Sequence, residues 1–310
     1  MMKLEGITGF VAVAESGSIS EAARRLGLPK SVVSERLAEL ERSLGTRLVQ
    51  RTTRKMSLTE DGLAFLERAR RIVRDTVEAA AEMAERRGTL VGPLRISGPV
   101  SFGTLHLGPA LYPFLHDNPG IELTLHLDDR FVDVAADGYD AVVRHGPIRD
   151  TRLIAKRLAP SRRILVASPA YLAAHGQPHS PADLEGHSAI LYINRDADWR
   201  FTGPQGSIVI RPRRSLRVNN GLIMRDAALA GLGITLLATF IVYPELASGA
   251  LRIVDVGIEP EGADIHIAYP MDRGPSAKVR ALTERLRHAF GDPPYWDAGL
   301  DQRPQNARKA

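Results

Sequence analysis

Cysteine is absent from the 310 residues. That excludes disulfides, thiolate-held metals and a cysteine nucleophile, and it fits a reducing cytosol. Nothing approaches the ~20 consecutive apolar residues that a bilayer-spanning helix needs. The opening MMKLEGITGFVAVAESGS has a short apolar run broken by Glu15, without the charged start and long apolar core of a signal peptide, so a cytoplasmic protein with no membrane partner is expected. Catalytic signatures are missing too. There is no G-x-S-x-G elbow, Walker A loop or G-x-G-x-x-G loop, and Gly231-Leu-Gly-Ile reads as a helix end entering a strand. His175, His179 and His187 lie in a polar Gly/Pro segment without metal-ligand spacing. The expectation is a protein that is not an enzyme and carries no metal or cofactor. What is present is 25% charged and 44% hydrophobic residues, enough for about two soluble globular domains. The net charge of +5 and a pI near 9.6 are compatible with a polyanionic partner.

The most informative stretch is Ser18 to Gly62. Ser18 and Glu21 have the S-x-x-E spacing of a capping box. A helix from Ile19 follows, with Ala22, Ala23 and Leu26 on one face, and Gly27 ends it. Pro29 suits the start of a second helix, where Val33, Leu37, Leu40 and Leu44 recur at helical period. Two helices joined around a glycine match a helix-turn-helix. The opposite face carries Lys30, Ser31, Ser34 and Glu35 near the end that would enter a major groove. Taken alone, that face is equally an ordinary solvated one. The next segment weighs against this. Arg47, Arg51, Arg54 and Lys55 lie close together with no acid among them, flanked by Leu48-Val49 and Met56-Ser57-Leu58 as short strands. A basic hairpin beside a helix-turn-helix supplies phosphate contacts.

Before this stretch, Lys3 to Glu15 reads as a helix with Leu4, Ile7, Phe10, Val11 and Ala14 on one face. After it, Thr59 is a good N-cap for a helix running to about Arg87. Leu66, Val73, Val77, Ala80 and Ala84 form its stripe, widened by Phe65, Ala69, Ile72 and Met83. A long helix with nothing local to pack on implies a partner helix, hence a dimer; packing on its own domain is the alternative. Gly88 to Pro93 breaks the chain as a hinge. Beyond it, strands alternate with helices, from Leu94–Ser97 and the period-two Ile121–Leu127 to a final helix over Lys278–Phe290. The pattern predicts an α/β domain with a largely parallel sheet.

Residues 1 to about 290 resemble LysR-type transcriptional regulators. The resemblance rests on FVAVAESGSISEAARRLGL, SVVSERLAELERSLGTRLVQRTTRKMSLTEDG, RFVDVAADGYDAVVRHGP, LVASPAYLAAHG and AALAGLGITLL. Glu35 stands where the family commonly has a basic residue, and Pro29 where it has a small polar one, which bears on the operator read. The resemblance implies an α+β multidomain chain. A winged helix-turn-helix would occupy 1–59, a linker and dimerisation helix with hinge 60–92, and an effector-binding domain 93–290. The last would comprise two subdomains like those of periplasmic binding proteins, about 93–162 with 267–290, and about 163–266; residues 291–310 are expected to be a flexible tail. It further implies double-stranded promoter DNA, a small-molecule effector and a homodimer or homotetramer as partners. The candidate DNA-contacting residues are Ser18, Ser20, Lys30, Ser31, Ser34, Glu35, Arg36, Arg51, Thr52, Arg54 and Lys55.

Ligands of open α/β sheets sit beyond the carboxyl ends of strands, near helix N-termini. The family uses the loop after the first strand for effectors, which carries over to Ser101, Phe102 and Gly103. Arg144, His145 and Gly146, and then Asn219 and Asn220, follow other strands at the same edge. Arg144 with two helix N-termini suits a small carboxylate effector. The alternatives are an ion pair of Arg144 with Asp140 or Asp137, and turn formation by Asn219 and Asn220. The competing functions are an effector-independent nucleoid-type DNA binder and a metabolic α/β ligand-binding protein.

Overall fold

The computed structural model describes residues 2–300 apart from 52–55, 86–88, 131–132, 135–136, 194–198, 204–205 and 273. It divides into two compact units, Met1–Gly92 and Pro93–Ala310.

The first unit opens with α1 (Leu4–Ser16), α2 (Ile19–Leu26) and α3 (Lys30–Leu44). Gly17, Gly27 and Gly45 end these helices in left-handed conformation, as the sequence predicts for Gly27. Only half of the capping box forms. Ser18 accepts from the Glu21 amide, but the Glu21 carboxylate turns outward to Arg24. The guanidinium is the stronger donor for an exposed carboxylate. Ile7, Phe10, Ala22, Val33, Leu37 and Leu40 form one core, where each wholly buried Leu side chain contributes about 1.5–3 kcal/mol. Gly6 lets α1 approach α3 closely, since a Cβ there would lie 3.2 Å from the Arg36 carbonyl oxygen. Leu4 and Leu44, expected on these faces, are exposed at the helix ends.

The hairpin is β1 (Val49–Arg51) with β2 (Met56–Leu58), antiparallel with Gln50 opposite Ser57. Helix α4 (Glu60–Glu85) follows, its first turn capped by Thr59 Oγ1 accepting from the Gly62 amide at 2.9 Å. The expectation that α4 has nothing local to pack on fails for its first half. Ala69 is buried in the core of this unit, and Phe65, Leu66, Ile72 and Val73 pack against that core. Phe65 meets Phe10 with ring centroids 5.7 Å apart, and Arg70 pairs with Glu15. Beyond them Ala80 and Met83 are exposed.

The second unit contains two mixed five-stranded sheets. Strand β3 (Gly92–Gly98) leads into α5 (Val100–Phe102), which runs through a π-turn over Gly103–Leu107 into α6 (Gly108–Asp117). Then come β4 (Ile121–Leu127), β5 (Ala141–His145) and β6 (Leu153–Ser161). The chain next builds the other sheet with β7 (Arg163–Ala167), α7 (Pro169–His175), β8 (Ser188–Tyr192), the hairpin β9 (Trp199–Gly203) and β10 (Gly206–Ile210), β11 (Arg213–Val218), α8 (Gly221–Leu229), β12 (Ile234–Ala238), α9 (Thr239–Ser248) and β13 (Arg252–Ile253). Strand β14 (Ala263–Pro270) returns to the first sheet and α10 (Ala277–Phe290) closes it. The orders are β4-β3-β5-β14-β6 and β11-β8-β12-β7-β13.

The largely parallel sheet expected from strand–helix alternation is corrected. β3 is parallel to β5, and β8 to its neighbours β11 and β12. But β14 is antiparallel to β5 and β6, and β7 to β12 and β13. The strands that cross between sheets enter from the far end, so they must run against their neighbours. Ser180-Pro181, an N-cap type residue followed by proline, starts only a 3-10 turn over Ala182–Gly186.

The flexible tail is also corrected, for residues 291–300. A 3-10 turn at Tyr295–Asp297 buries Trp296 completely. The indole sits among the rings of Phe102, His106 and Phe290, and burying so large an aromatic side chain helps hold a polar segment in place. Residues 301–310 lie outside the described residues. Among the described residues no helix is long and apolar enough to cross a membrane.

Among the described glycines of the first unit, Gly62 is the most closely approached. A Cβ there would fall 2.0 Å from the Leu48 carbonyl oxygen. Gly62→Ala is expected to force α4 away from the hairpin and destabilise the unit by about 1–3 kcal/mol. The measurement is the urea midpoint of unfolding, and an unchanged midpoint would show that the contact relaxes without cost.

Candidate functional site

In the first unit, the buried stripe Val33, Leu37 and Leu40 turns the other face of α3 outward. Lys30, Ser31 and Glu35 are exposed, and Ser34 and Arg36 half-exposed. Pro29 offers no side-chain cap and the first turn has no acidic residue. The helix therefore presents its positive end uncovered, which suits a phosphate. Ser18 is occupied as the cap of α2, while Ser20 is exposed beside it. Arg51 closes β1 opposite Met56. Thr52, Arg54 and Lys55, the tip expected to hold phosphates, lie outside the described residues.

Glu41 was not singled out from the sequence. Its Oε1 accepts from the amides of Leu48 at 2.8 Å and Val49 at 3.1 Å. One carboxylate thus satisfies two strand-end donors and ties the hairpin to the C-terminal turns of α3. Charge-assisted bonds of this kind are about twice as strong as neutral ones. The Thr59 hydroxyl donates to the Arg47 carbonyl at 2.6 Å from the other side.

In the second unit, the expected effector residues separate into two groups. Arg144 and His145 end β5, and Ser101 lies in α5, which follows the end of β3. Arg144 is half-buried and donates to the Val143 carbonyl at 2.8 Å and to Ser97 Oγ at 3.1 Å. Burial pulls its guanidinium below the ordinary arginine range, against the nearby charges of Asp128 and Asp129. These two, rather than Asp140 or Asp137, are the carboxylates that act on it. Asp140 instead accepts from the Arg95 amide at 2.7 Å. Asp129 Oδ1 accepts from the Val100 amide at 3.0 Å, at the start of α5. Burial raises its carboxyl, while that amide and the Tyr192 side chain pull the other way. Tyr192 ends β8, so this bond joins the two sheets' strand ends. Asp128 is held down to about 2, chiefly by the Arg130 side chain. Ser101 faces the start of α8, its Oγ 3.2 Å from where a Cβ on Gly221 would lie. The His145 ring meets Phe240 edge-on at 5.6 Å.

Four of the other expected residues have structural partners. Phe102 is wholly buried. Gly103 is needed for packing, since a Cβ there would fall 2.2 Å from Leu127 Cδ2. Gly146 turns the chain at φ 104°, and its carbonyl contacts His266 Nδ1. Asn220 caps α8, accepting from Leu222 and Ile223 amides at 2.9 and 3.2 Å, and Asn219 is exposed. Ser97, Asp128, Asp129 and Tyr192 were missed, although Asp128-Asp129 follow the alternating Ile121–Leu127 strand at the edge where ligands gather. Two of the three clustered histidines contact Tyr171: His175 stacks on its ring at 4.4 Å, and His187 Nδ1 lies 3.3 Å from its hydroxyl. Among the described residues no group of three His, Cys, Asp or Glu is arranged to hold a metal.

A winged helix-turn-helix followed by a long helix and a two-sheet α/β unit with a cluster of polar groups at the strand ends defines a ligand-responsive DNA-binding regulator. The chain belongs to the LysR family: residues 4–63 match the "Bacterial regulatory helix-turn-helix protein, lysR family" and residues 87–291 the "LysR substrate binding domain". It is 34% identical over 300 residues to the HTH-type transcriptional regulator PtxR of Pseudomonas aeruginosa, covering 95% of each chain. It superposes on CrgA, a LysR-type transcriptional regulator of Neisseria meningitidis, with a TM-score of 0.58 and 31% identity, covering 91% of this chain and 98% of that one. The Vibrio cholerae virulence activator AphB gives a TM-score of 0.59 at 29% identity, covering 92% and 98%. The protein is a DNA-binding transcriptional regulator modulated by a small-molecule effector.

The cap formed by Asn220 has a measurable weight. Asn220→Ala is expected to cost about 0.5–2 kcal/mol of stability, seen as a lower melting temperature of the second unit. An unchanged melting temperature would return Asn220 to the ligand contacts.

Proposed function

We propose that the exposed face of α3 reads the major groove of an operator through Lys30, Ser31, Ser34, Glu35 and Arg36, with Ser20 and the hairpin cations Arg51, Arg54 and Lys55 on the phosphates. The observation that carries this is the uncapped, acid-free start of α3, held outward by its buried face. Two copies, paired through the second half of α4 where Ala80 and Met83 are exposed, would set two such helices on a near-palindromic site. The setting is the cytoplasm, and no catalytic step is assigned. In quantitative gel shifts, Ser34→Ala is expected to change the ranking of operator variants. Arg51→Ala is expected to weaken all duplexes alike and flatten the salt dependence by about one unit. Equal ranking in the first case, or an unchanged slope in the second, would remove the residue from the interface.

The effector we assign to the strand-end cluster of Ser97, Ser101, Asp129, Arg144 and Tyr192. Asp129 already offsets the charge of Arg144, so a ligand carboxylate must compete with it. A small acid that also carries a hydroxyl or amine satisfies both: its carboxylate takes Arg144 and its donor takes Asp129. A panel of hydroxy and amino acids, scored by the rise in melting temperature, tests the class. Arg144→Ala is expected to abolish the rise for the best of them, and an undiminished rise would overturn the role of Arg144.

A further inference from the structure

Trp296 is 0% exposed, in a segment of Pro, Asp and Gly that composition alone marks as loose. Its ring lies 4.8 Å from His106 and 5.9 Å from Phe102, both in the α5 to π-turn run of the first subdomain, and 6.3 Å from Phe240 at the start of α9 in the second. Tyr295 repeats the pattern, with its ring 6.0 Å from Tyr243 of α9 and its hydroxyl on His106 Nδ1. His106 Nε2 lies 2.8 Å from the Phe240 carbonyl oxygen. A carbonyl only accepts, so Nε2 carries the proton and Nδ1 accepts from the Tyr295 hydroxyl. Burial favours this neutral imidazole by lowering its pKa. The Tyr295 phenol, pushed up to about 12 by burial and Tyr243, stays protonated as the donor.

We propose that residues 294–297 form an intramolecular strap: Tyr295 and Trp296 bind the α5 end of one subdomain to the α9 start of the other and hold the cleft between them at one degree of closure. Phe102 adjoins Ser101 in the chain, and Phe240 touches both the Trp296 and His145 rings. The strap therefore grips the two walls next to the groups assigned to the effector. One of its own atoms opposes its docking. The buried indole Nε1 has no hydrogen-bond partner among the described residues, and release would return that donor to water. A restraint with an internal cost is one that a ligand with unequal affinity for the two arrangements can shift. The bearing on effector response rests on the cleft assignment above; the restraint itself does not.

The absence of native cysteine allows spin labels at Glu122→Cys and Glu185→Cys alone, both at exposed positions, one in each subdomain. Labelled full-length chains diluted into excess unlabelled protein would report one narrow intramolecular distance distribution by pulsed dipolar spectroscopy. Trp296→Ala is expected to broaden it and add a second component displaced from the first. Tyr295→Phe, which removes only a hydroxyl, is expected to broaden it less. A Trp296→Ala protein with native circular dichroism and an unchanged distribution would overturn the strap. If Trp296→Ala does not fold, an unchanged distribution in Tyr295→Phe overturns it. Displaced distances together with an effector-induced stabilisation unaffected by Arg144→Ala would leave the strap standing and remove the cleft assignment instead.

Discussion

The second unit depends on a constraint of connectivity. The chain must leave the first sheet and return to it, and the strands on its side of the two crossings are β6 and β14. These two pair antiparallel with each other along nearly their whole length, from Ala263 opposite Ser161 to Pro270 opposite Leu153. One residue, Arg162, separates the end of β6 from the start of β7. Its carbonyl accepts from the Thr239 amide at 2.9 Å, so α9 is anchored at the crossing itself. The mixed character of both sheets follows. The described parallel pairs, β3 with β5 and β8 with β11 and β12, lie away from the crossings, and the pairs made by β14 and β7 beside the crossings are antiparallel.

From that arrangement the polar cluster is unavoidable. The carboxyl ends of β3, β4, β5 and β8 bring Ser97, Asp128, Asp129, Arg144 and Tyr192 within reach of one another. Each is individually costly to bury, and they compensate by pairing: Ser97 with Arg144, Tyr192 and the Val100 amide with Asp129.

Much of this was legible from the residues. The β4 strand has the bounds its period-two pattern predicts, and the helix-turn-helix follows from Gly27, Pro29 and the Val33-Leu37-Leu40 spacing. Other parts were not, for physical reasons. In β6, Lys156 and Arg157 are exposed in succession, and Pro160 interrupts what would otherwise read as alternation. Trp296 is a single apolar residue whose burial comes from partners distant in sequence, so no local period signals it. Among the site residues, Arg144 could be read because it lies at the carboxyl end of a strand. Asp129 and Tyr192 form a pair only after two sheets meet. The family loop carried over Phe102 and Gly103 as ligand contacts; here Phe102 packs against Phe240 and Phe290, and Gly103 leaves room for Leu127.

The bond from Glu41 to the Leu48 and Val49 amides has a consequence for how DNA shape is felt. In the binding mode proposed above, Glu41 belongs to the helix assigned to the groove, and Val49 begins the hairpin assigned to the adjoining backbone. A single carboxylate clamps the two, so their spacing works as a fixed caliper rather than two independent fingers. A duplex whose groove is too narrow or too wide for that spacing must itself deform to be held. The energy of that deformation then enters the choice among sequences, even at base pairs no side chain touches.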